Sequence, residues 1–371
     1  MSGHDVAIVG AGSAGLLLGC LLAQRGLDVV VLERRSEPQG GSRAIGIHPP
    51  GLRALDRAGI GAHVRDQAVA IRAGVAMSRG RELGTLRFDA SPIRSLPQHR
   101  TEALLRQRLE ALAPDALRTG AGVTGIDPGD GAVGLGLADG GAVEARWVVA
   151  ADGVRGQLRG MLGIGRTALP GEAHYAMADG PDRTGLPHAA ALHIEPGGIV
   201  ESFPLVHGGR RWVARLDGPG DGMAAAGLRA VVAARIGDEP PIVDEAPVSA
   251  FVARQRLADA FARGRVALLG DAAHELSPIG GQGMSLGWLD AAALEEALLR
   301  AIATADEAPV EAWARARRAA ARRAMRRAAW NMRMGAPCSP ARLAARTALV
   351  RALATPPAST MLAASFTMRG L

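Results

Sequence analysis

The chain has 371 residues, 48% hydrophobic and 21% charged, and no apolar run approaching the roughly 18 residues of a membrane span, which selects a large globular fold of one or two interlocked domains. All 43 basic residues are arginine, and the absence of lysine excludes Schiff-base chemistry, pyridoxal phosphate attachment and the phosphate-loop lysine. Residues 312–371 hold 12 arginines and no acid, so the net charge of +7 leaves −5 for residues 1–311 and the basic character belongs to the tail.

Cys20 and Cys338 stand far apart in sequence and support neither a disulfide framework nor a cysteine-rich metal site, and no metal ligand set is assigned. No basic segment precedes the first apolar stretch, which is followed by a glycine loop rather than a cleavage site, so the expected location is cytoplasmic.

Residues 5–33 read strand, glycine turn, helix, strand: "DVAIVG", "AGSAG", "LLLGCLLAQRG", "LDVVVLE". The unbroken apolar runs Val6 to Val9 and Val29 to Leu32 suit parallel strands covered on both faces. Gly10, Gly12 and Gly15 stand in a G-x-G-x-x-G arrangement, and Glu33 ends the next strand 18 residues after the last of them. This pattern predicts a dinucleotide site: Gly10 for the turn, Gly12 for close approach of a pyrophosphate, Gly15 for helix packing, and the phosphates on a helix start that favours negative charge. Glu33 suits ribose hydroxyls and is a poor neighbour for a 2′-phosphate; NAD and FAD share this half, and the spacing alone leaves the choice open.

The segments "PPGLRALDRAGI" (49–60) and "RTEALLRQRLEAL" (100–112) predict helices, with short strands near "IRAGVAM" and "LGTLRF" between them. From Val123 to Val149, hairpin signals "DPGDG" and "ADGG" separate short strands that lead into "ARWVVAADGVRG". Residues 173–256 form a second block of alternating strands with one helix near 223–236. Then "GRVALLGDAAHELSPIGGQGMSLGWLDA" (264–291) places a buried strand, Asp271, a turn and several glycines before a helix starting near Gln282; its histidine, His274, has no evident partner in the sequence.

On these motifs together with "SRAIGIHPPGLRALDRAGI" (42–60), "LPQHRTEALL" (96–105) and "VVAADGVRGQLR" (148–159), the chain resembles the FAD-dependent aromatic hydroxylases of the p-hydroxybenzoate hydroxylase type. The resemblance implies an α/β fold in which a Rossmann-like FAD-binding domain (1–70, 97–172 and 257–310) is interleaved with a β-sheet substrate domain (71–96 and 173–256), followed by a helical C-terminal segment (311–371). It implies that Asp271 holds a ribityl hydroxyl, that bare backbone at Gly280, Gly281 and Gly283 meets the edge of the flavin at a helix start, and that Pro278 also contacts the cofactor. Further FAD contacts are expected from Ala14, Arg34, Arg43, Gln98, Asp152, Gly270 and Met284. Gly156 stands where the family usually has Ser, and Ser285 where Asn is common. The chain stops too early for the thioredoxin-like domain of many polyketide hydroxylases, which implies a compact member. Lysine-dependent halogenases of the same fold are excluded.

In "GGIVESFPLVHGGRRWVARL", period-2 alternation separates Ser202 and Pro204 from Glu201, Phe203 and Leu205. Ser202, Pro204 and Trp212 resemble in position the substrate-holding residues of the benzoate hydroxylases. Pro204 stands where an arginine would pair a carboxylate, which points to a neutral phenol or polycyclic aromatic. His193 and His207 are not assigned as bases.

In the tail, helical spacing puts Arg315, Arg318, Arg322 and Arg326 on one face and Ala320, Ala324 and Ala328 opposite, a pattern of a helix packed on the body. Nucleic-acid binding is not expected, and peripheral membrane contact is disfavoured for want of large apolar anchors.

The resemblance thus implies an FAD-dependent monooxygenase that uses NAD(P)H and O2, through a C4a-hydroperoxyflavin, to hydroxylate an aromatic small molecule, with epoxidation or Baeyer–Villiger oxidation as other outcomes. No side chain is assigned as the catalyst; Arg43 and Pro278 are expected near the ring. The alternatives are a reductase of the same fold, similar to the prenyl-lipid reductases, and a redox-silent flavin-bound pathway protein. Substrate identity, choice of nicotinamide and oligomeric state are left open by the sequence.

Overall fold

A computed structural model describes residues 3–38, 44–129 and 131–368. The apolar runs near the N-terminus become the centre of an eight-stranded sheet. Its main path runs Ala262–Arg263, Val266–Leu268, Ala142–Ala150, His4–Val9, Val29–Glu33, Leu117–Thr119. His4–Val9 pairs in parallel with Val29–Glu33 on one side and with Ala142–Ala150 on the other, aligning Val6 with Val29 and with Trp147. Val6, Ala7 and Ile8 are fully buried, as continuous β-branched runs require when both faces are covered. Helix Ser13–Ala23 packs against this sheet and is itself covered by helices Gln98–Leu112 and Gly283–Thr304, so its apolar residues extend around its whole circumference.

A second eight-stranded sheet has the order His274–Glu275, Ser249–Ala258, Arg166–Pro181, Gly209–Leu216, Val200–Pro204, Ala189–His193, Ala73–Ser78, Arg81–Arg87. It is antiparallel apart from the parallel pair Ala73–Ser78 and Ala189–His193. Helix Ala225–Ile236 covers one face, burying Ala176, Trp212 and Ala214 against Leu228 and Val232. The other face looks back toward the first sheet.

The two layers divide differently from the boundaries read in the sequence. Arg166–Pro181 and Ser249–Ala258 pair from Arg166 opposite Ala258 to Met177 opposite Ser249, so this ladder runs across both 172/173 and 256/257. Long paired strands satisfy each other's backbone: the ladder is continuous across 256/257 and is interrupted beside 172/173 only by a register shift between Leu169 and Ala173, after which the same two strands pair again. Val69–Ile71 and Ile93–Ser95 join Gly46–Ile47 in a three-stranded sheet of their own.

Helices Ala308–Met334, Pro340–Leu353 and Ala358–Phe366 form the tail. Ala320, Ala324 and Ala328 are buried while Arg315, Arg322 and Arg326 are exposed; Arg318 turns back to donate to the Ala258 carbonyl at 2.9 Å. Among the described residues no helix is long and apolar enough to cross a membrane.

Candidate flavin and substrate site

The three glycines of the first turn serve three separable purposes. Gly10 has φ +111°, and a Cβ there would lie 2.3 Å from the Ala151 carbonyl oxygen, so both backbone and packing demand glycine. At Gly15 a Cβ would lie 2.1 Å from the Gly10 oxygen, which makes it the residue that lets helix meet turn; it does not border the cavity. Gly12 has an ordinary extended backbone, φ −77°, and a Cβ there would meet nothing within 4 Å. Its missing side chain leaves room only in the cavity it borders.

Glu33 reaches back under this turn. Its Oε2 accepts the Ala11 N–H at 3.0 Å and its Oε1 accepts the Arg35 N–H and Nε at 3.0 Å. Burial works against the charge, but these bonds outweigh it and hold the carboxyl below its usual range. At the start of helix Ser13–Ala23 the Glu102 carboxylate accepts the Ser13 N–H at 3.1 Å, and Gln98 Nε2 donates to the same oxygen at 2.8 Å. The helix start thus holds an anion from the protein itself.

Strand Val266–Leu268 ends in a short turn at Gly270, φ +62°, that delivers Asp271 into the cavity. Among the described residues nothing hydrogen-bonds its carboxylate. Its side chain is open to the cavity, and the protein crowded around it disfavours the charge and raises the Asp271 carboxyl above its ordinary value. The next turn closes with Gly281 N–H on the Pro278 oxygen at 2.8 Å and needs Gly280 at φ +93°. It leads into the 22-residue helix Gly283–Thr304.

His48 locks the turn. Its Nε2 donates to the Gly280 carbonyl at 3.0 Å and its backbone N–H donates to Ser285 Oγ at 3.0 Å. Burial pushes this ring down to about 4, so it stays neutral. Gly51 allows the approach: a Cβ there would lie 2.6 Å from Ser285 Oγ.

His274, without evident partner in the sequence, is completely buried against Asp290, its Nε2 2.5 Å from Asp290 Oδ2. Arg317 Nε donates to Asp290 Oδ1 at 2.5 Å and Trp313 Nε1 donates to the Asp290 carbonyl at 3.1 Å. This cluster ties the segment carrying Asp271 to both long helices. Asp152, beside the Gly10 turn, accepts the Leu158 N–H through Oδ2 at 3.2 Å, and its Oδ1 is buried without a partner among the described residues. Burial raises its carboxyl. A Cβ on Gly156 would lie 2.0 Å from Asp152 Cγ, so the departure from Ser gives this inward-turned carboxyl its room.

Gly12, Glu33, His48, Asp152 and Asp271 border one cavity of about 1380 Å³ that continues from the glycine turn to the second sheet. Of the expected cofactor residues, Gly10, Gly12, Ala14, Glu33, Arg34 and Gln98 border it, as do Asp152, Gly270, Asp271, Pro278, Gly281, Gly283 and Met284. Arg43 lies outside the described residues.

The expected substrate residues are not on this wall. Ser202 is fully buried, bonded at 2.9 Å by Arg210 Nη1 in a network that includes Asp182 at 3.0 Å from Arg210 Nη2. Trp212 packs under helix Ala225–Ile236, and Pro204 pairs with Arg210 on the same side. The period-2 separation holds, but the faces are reversed, because the helix takes the face carrying Trp212 and Val200. The wall consists of Met177, Leu192, Glu201, Phe203, Val213 and Phe251. Arg211 also borders the cavity, gripped by Asp179 through Nε at 2.7 Å and Nη2 at 2.8 Å. The tail completes the enclosure with Asn331, Met334, Leu353, Leu362 and Phe366. Sequence reasoning missed Glu201 and these tail residues; the signal for Glu201 was an acid at a period-2 position within an apolar strand.

The residues fit FAD. A cradle at Gly12 that a Cβ would fill, an unpartnered carboxylate at Asp271 and two helix starts on one elongated cavity are what a long dinucleotide with a polyol linker and a flat ring requires. Fold and site together define a dinucleotide-binding flavoprotein. The chain belongs to the FAD-binding domain family, whose model matches residues 3–328.

Among its relatives, the 12-dehydrotetracycline 5-monooxygenase/anhydrotetracycline 6-monooxygenase of Streptomyces rimosus is 33% identical over 309 residues, covering 78% of this chain and 61% of that protein. The chain therefore spans less than two thirds of this curated relative's length. The p-nitrophenol 4-monooxygenase of Pseudomonas putida has a similar structure, with a TM-score of 0.87, 26% identity and coverage of 98% and 97% of the two chains. A Diels-Alderase of pyrroindomycin biosynthesis superposes with a TM-score of 0.83 and 26% identity over 98% of this chain and 80% of that one.

Proposed function

We propose that the protein is an FAD-dependent monooxygenase that uses NAD(P)H and O2 to hydroxylate a neutral aromatic small molecule, phenolic or polycyclic. The observation that carries this reading is one continuous cavity of about 1380 Å³, larger than a usual ligand pocket, running from the dinucleotide turn to an apolar wall. It has space for a cofactor and a flat substrate side by side. Similarity to the two monooxygenases supports the same reading.

Bound FAD supplies the electron transfer and oxygen activation. The chain supplies binding and shielding. The helix start after Gly12 and the Glu33 carboxylate would hold the adenosine diphosphate half, and Asp271 would accept from a ribityl hydroxyl, a role that suits a group with acceptors only. The start of helix Gly283–Thr304 would favour negative charge on a ring bound against it. Phe203, Val213 and Phe251 orient an aromatic ring by its faces, and Leu353, Leu362 and Phe366 exclude water from it. Arg211 is neutralised by Asp179, consistent with an uncharged substrate.

The test is the visible spectrum of the purified protein, followed by NADPH and NADH oxidation with a panel of phenols and polycyclic aromatics. The expected result is substrate-stimulated oxygen uptake and a product heavier by one oxygen atom. A second reading, a flavin-bound protein working without oxidation, draws on the Diels-Alderase neighbour. Its signature is bound FAD that neither nicotinamide reduces with any substrate present.

A further inference from the structure

We infer that Glu201 is the group that meets a ring hydroxyl of the substrate, accepting its O–H and taking its proton; this rests on the oxygenase reading and assigns the substrate class of the same site as phenols.

Glu201 sits in strand Val200–Pro204, opposite Val213 on one neighbouring strand and Leu192 on the other. It borders the cavity on the wall formed by Met177, Phe203, Val213 and Phe251, and its residue is only 3% exposed. Among the described residues no hydrogen bond or ion pair reaches its carboxyl. Buried polar groups are almost always satisfied, and an unpartnered carboxyl in an apolar wall is costly to keep. A ligand that brings a donor to this point removes that cost.

The charged and titratable groups nearby do not supply the donor. Arg211 is held by Asp179, and Arg215 Nη1 donates to the Met332 carbonyl at 2.9 Å. Tyr175, on strand Arg166–Pro181, has a phenol pushed upward by burial and by the Glu201 charge and so keeps its proton, but no hydrogen bond joins it to the Glu201 carboxyl and its hydroxyl is itself buried without a partner among the described residues. Helix Ala308–Met334 presents Asn331 and Met334 to the cavity, the tail presents Leu353, Leu362 and Phe366, and the turn at Pro278–Gly281 presents no ionisable side chain. Burial alone pushes the Glu201 carboxyl up to about 7, near the operating pH at which a proton acceptor is most effective.

The step balances without another reagent. The phenolic O–H bond breaks, a Glu201 carboxyl O–H bond forms, and the ring oxygen keeps the electron pair, which enriches the ring for attack on an electrophilic oxygen. The proton returns to the ring oxygen as product forms. A substrate carboxylate in the same place would face like charge, so benzoates are disfavoured.

The experiment uses the FAD-loaded protein and three probes of one shape: 2-naphthol, 2-methoxynaphthalene and 2-naphthoate. Dissociation constants are read from the perturbation of flavin absorbance without oxygen, from pH 5.5 to 8.5, below the ordinary phenol range near 10. The wild type is expected to bind 2-naphthol about tenfold more tightly than the ether at pH 8, with the preference shrinking as pH falls through about 7. Glu201→Leu is expected to bind naphthol and ether alike and to relax the exclusion of 2-naphthoate. Glu201→Gln, nearly isosteric, is expected to give naphthol binding without pH dependence, and FAD content reports folding of each variant. Equal binding of naphthol and ether by the wild type, or a preference that survives in Glu201→Leu, overturns the inference. Oxygen uptake with NAD(P)H in the same samples separates the two claims. Uptake without a Glu201-dependent preference overturns this inference alone, and the preference without uptake overturns only the oxygenase reading.

Discussion

A side chain at position 12 discriminates a cofactor cradle from an ordinary turn. Gly12 is neither in the left-handed region nor packed against protein: φ is −77° and a Cβ would find nothing within 4 Å. Gly12→Ala therefore leaves the cofactor-free fold intact, and the loss of freedom in the unfolded chain stabilises it by about 0.4–1 kcal/mol. With FAD present the same methyl occupies space expected for the pyrophosphate, and overpacking of a close contact costs about 1–3 kcal/mol. That corresponds to roughly 5- to 150-fold weaker binding, and Gly12→Val should be worse. FAD dissociation constants from flavin fluorescence, paired with thermal melts of the FAD-free protein, measure both terms. FAD binding by Gly12→Ala at wild-type affinity would refute the reasoning, as would an equally large loss of stability without cofactor. Gly10→Ala is the contrast: the Ala151 oxygen 2.3 Å from its Cβ predicts a lower melting temperature even without FAD.

Asp290→Ala strands His274 and Arg317 in the interior and should cost about 3–5 kcal/mol by urea unfolding. Burial opposes the charged His274 ring, but contact with the Asp290 carboxylate raises its affinity for a proton, so that contribution is complete below the ordinary value of 6.5 and is lost as pH rises through the raised value. Burial likewise opposes the Asp290 charge, yet His274 and Arg317 hold its carboxyl below 3.8, a contribution present above that value and lost as pH falls through the lowered one. The variant's deficit should thus be greatest between about pH 4 and 6.5, and a pH-independent deficit would contradict the pairing. Trp212→Ala, 4% exposed and packed beneath helix Ala225–Ile236, should cost about 3–5 kcal/mol, detected as an early melt. Phe203→Ala should instead weaken binding of 2-naphthol while the fold persists, measured by the same flavin titration. Glu102→Gln removes an anion from the helix start at Ser13 and should tighten FAD binding by about two- to fivefold, read by fluorescence titration at low salt.

The dinucleotide half was legible because its constraints are local. A turn that needs Gly10 at φ +111°, a helix beginning at Ser13 and an acid closing the next strand all lie within some thirty residues, and each leaves a residue-type signature. The same holds for Asp271 and the glycines before helix Gly283–Thr304. The substrate wall was legible only in part. Alternation along Val200–Pro204 separates two faces, but nothing within the strand states which face meets helix Ala225–Ile236 and which meets the cavity. Ser202 therefore looked like a substrate contact, whereas it holds the buried Arg210 guanidinium, and Glu201 was placed only on the opposite face with no role assigned.

Period, capping and glycine placement are properties of a chain with its nearest neighbours, and they were enough to determine a parallel nucleotide-binding sheet and a helix packed through its alanines, while the interleaving of a second layer came from the family resemblance. Pairings such as His274 with Asp290, Arg210 with Ser202 and Asp182, and the tail residues Leu362 and Phe366 with the cavity depend on which surfaces compete for burial once every element is in place. That competition is decided by contacts between residues distant in sequence, so only the tertiary structure could decide which carboxyl of the second sheet faces the cavity.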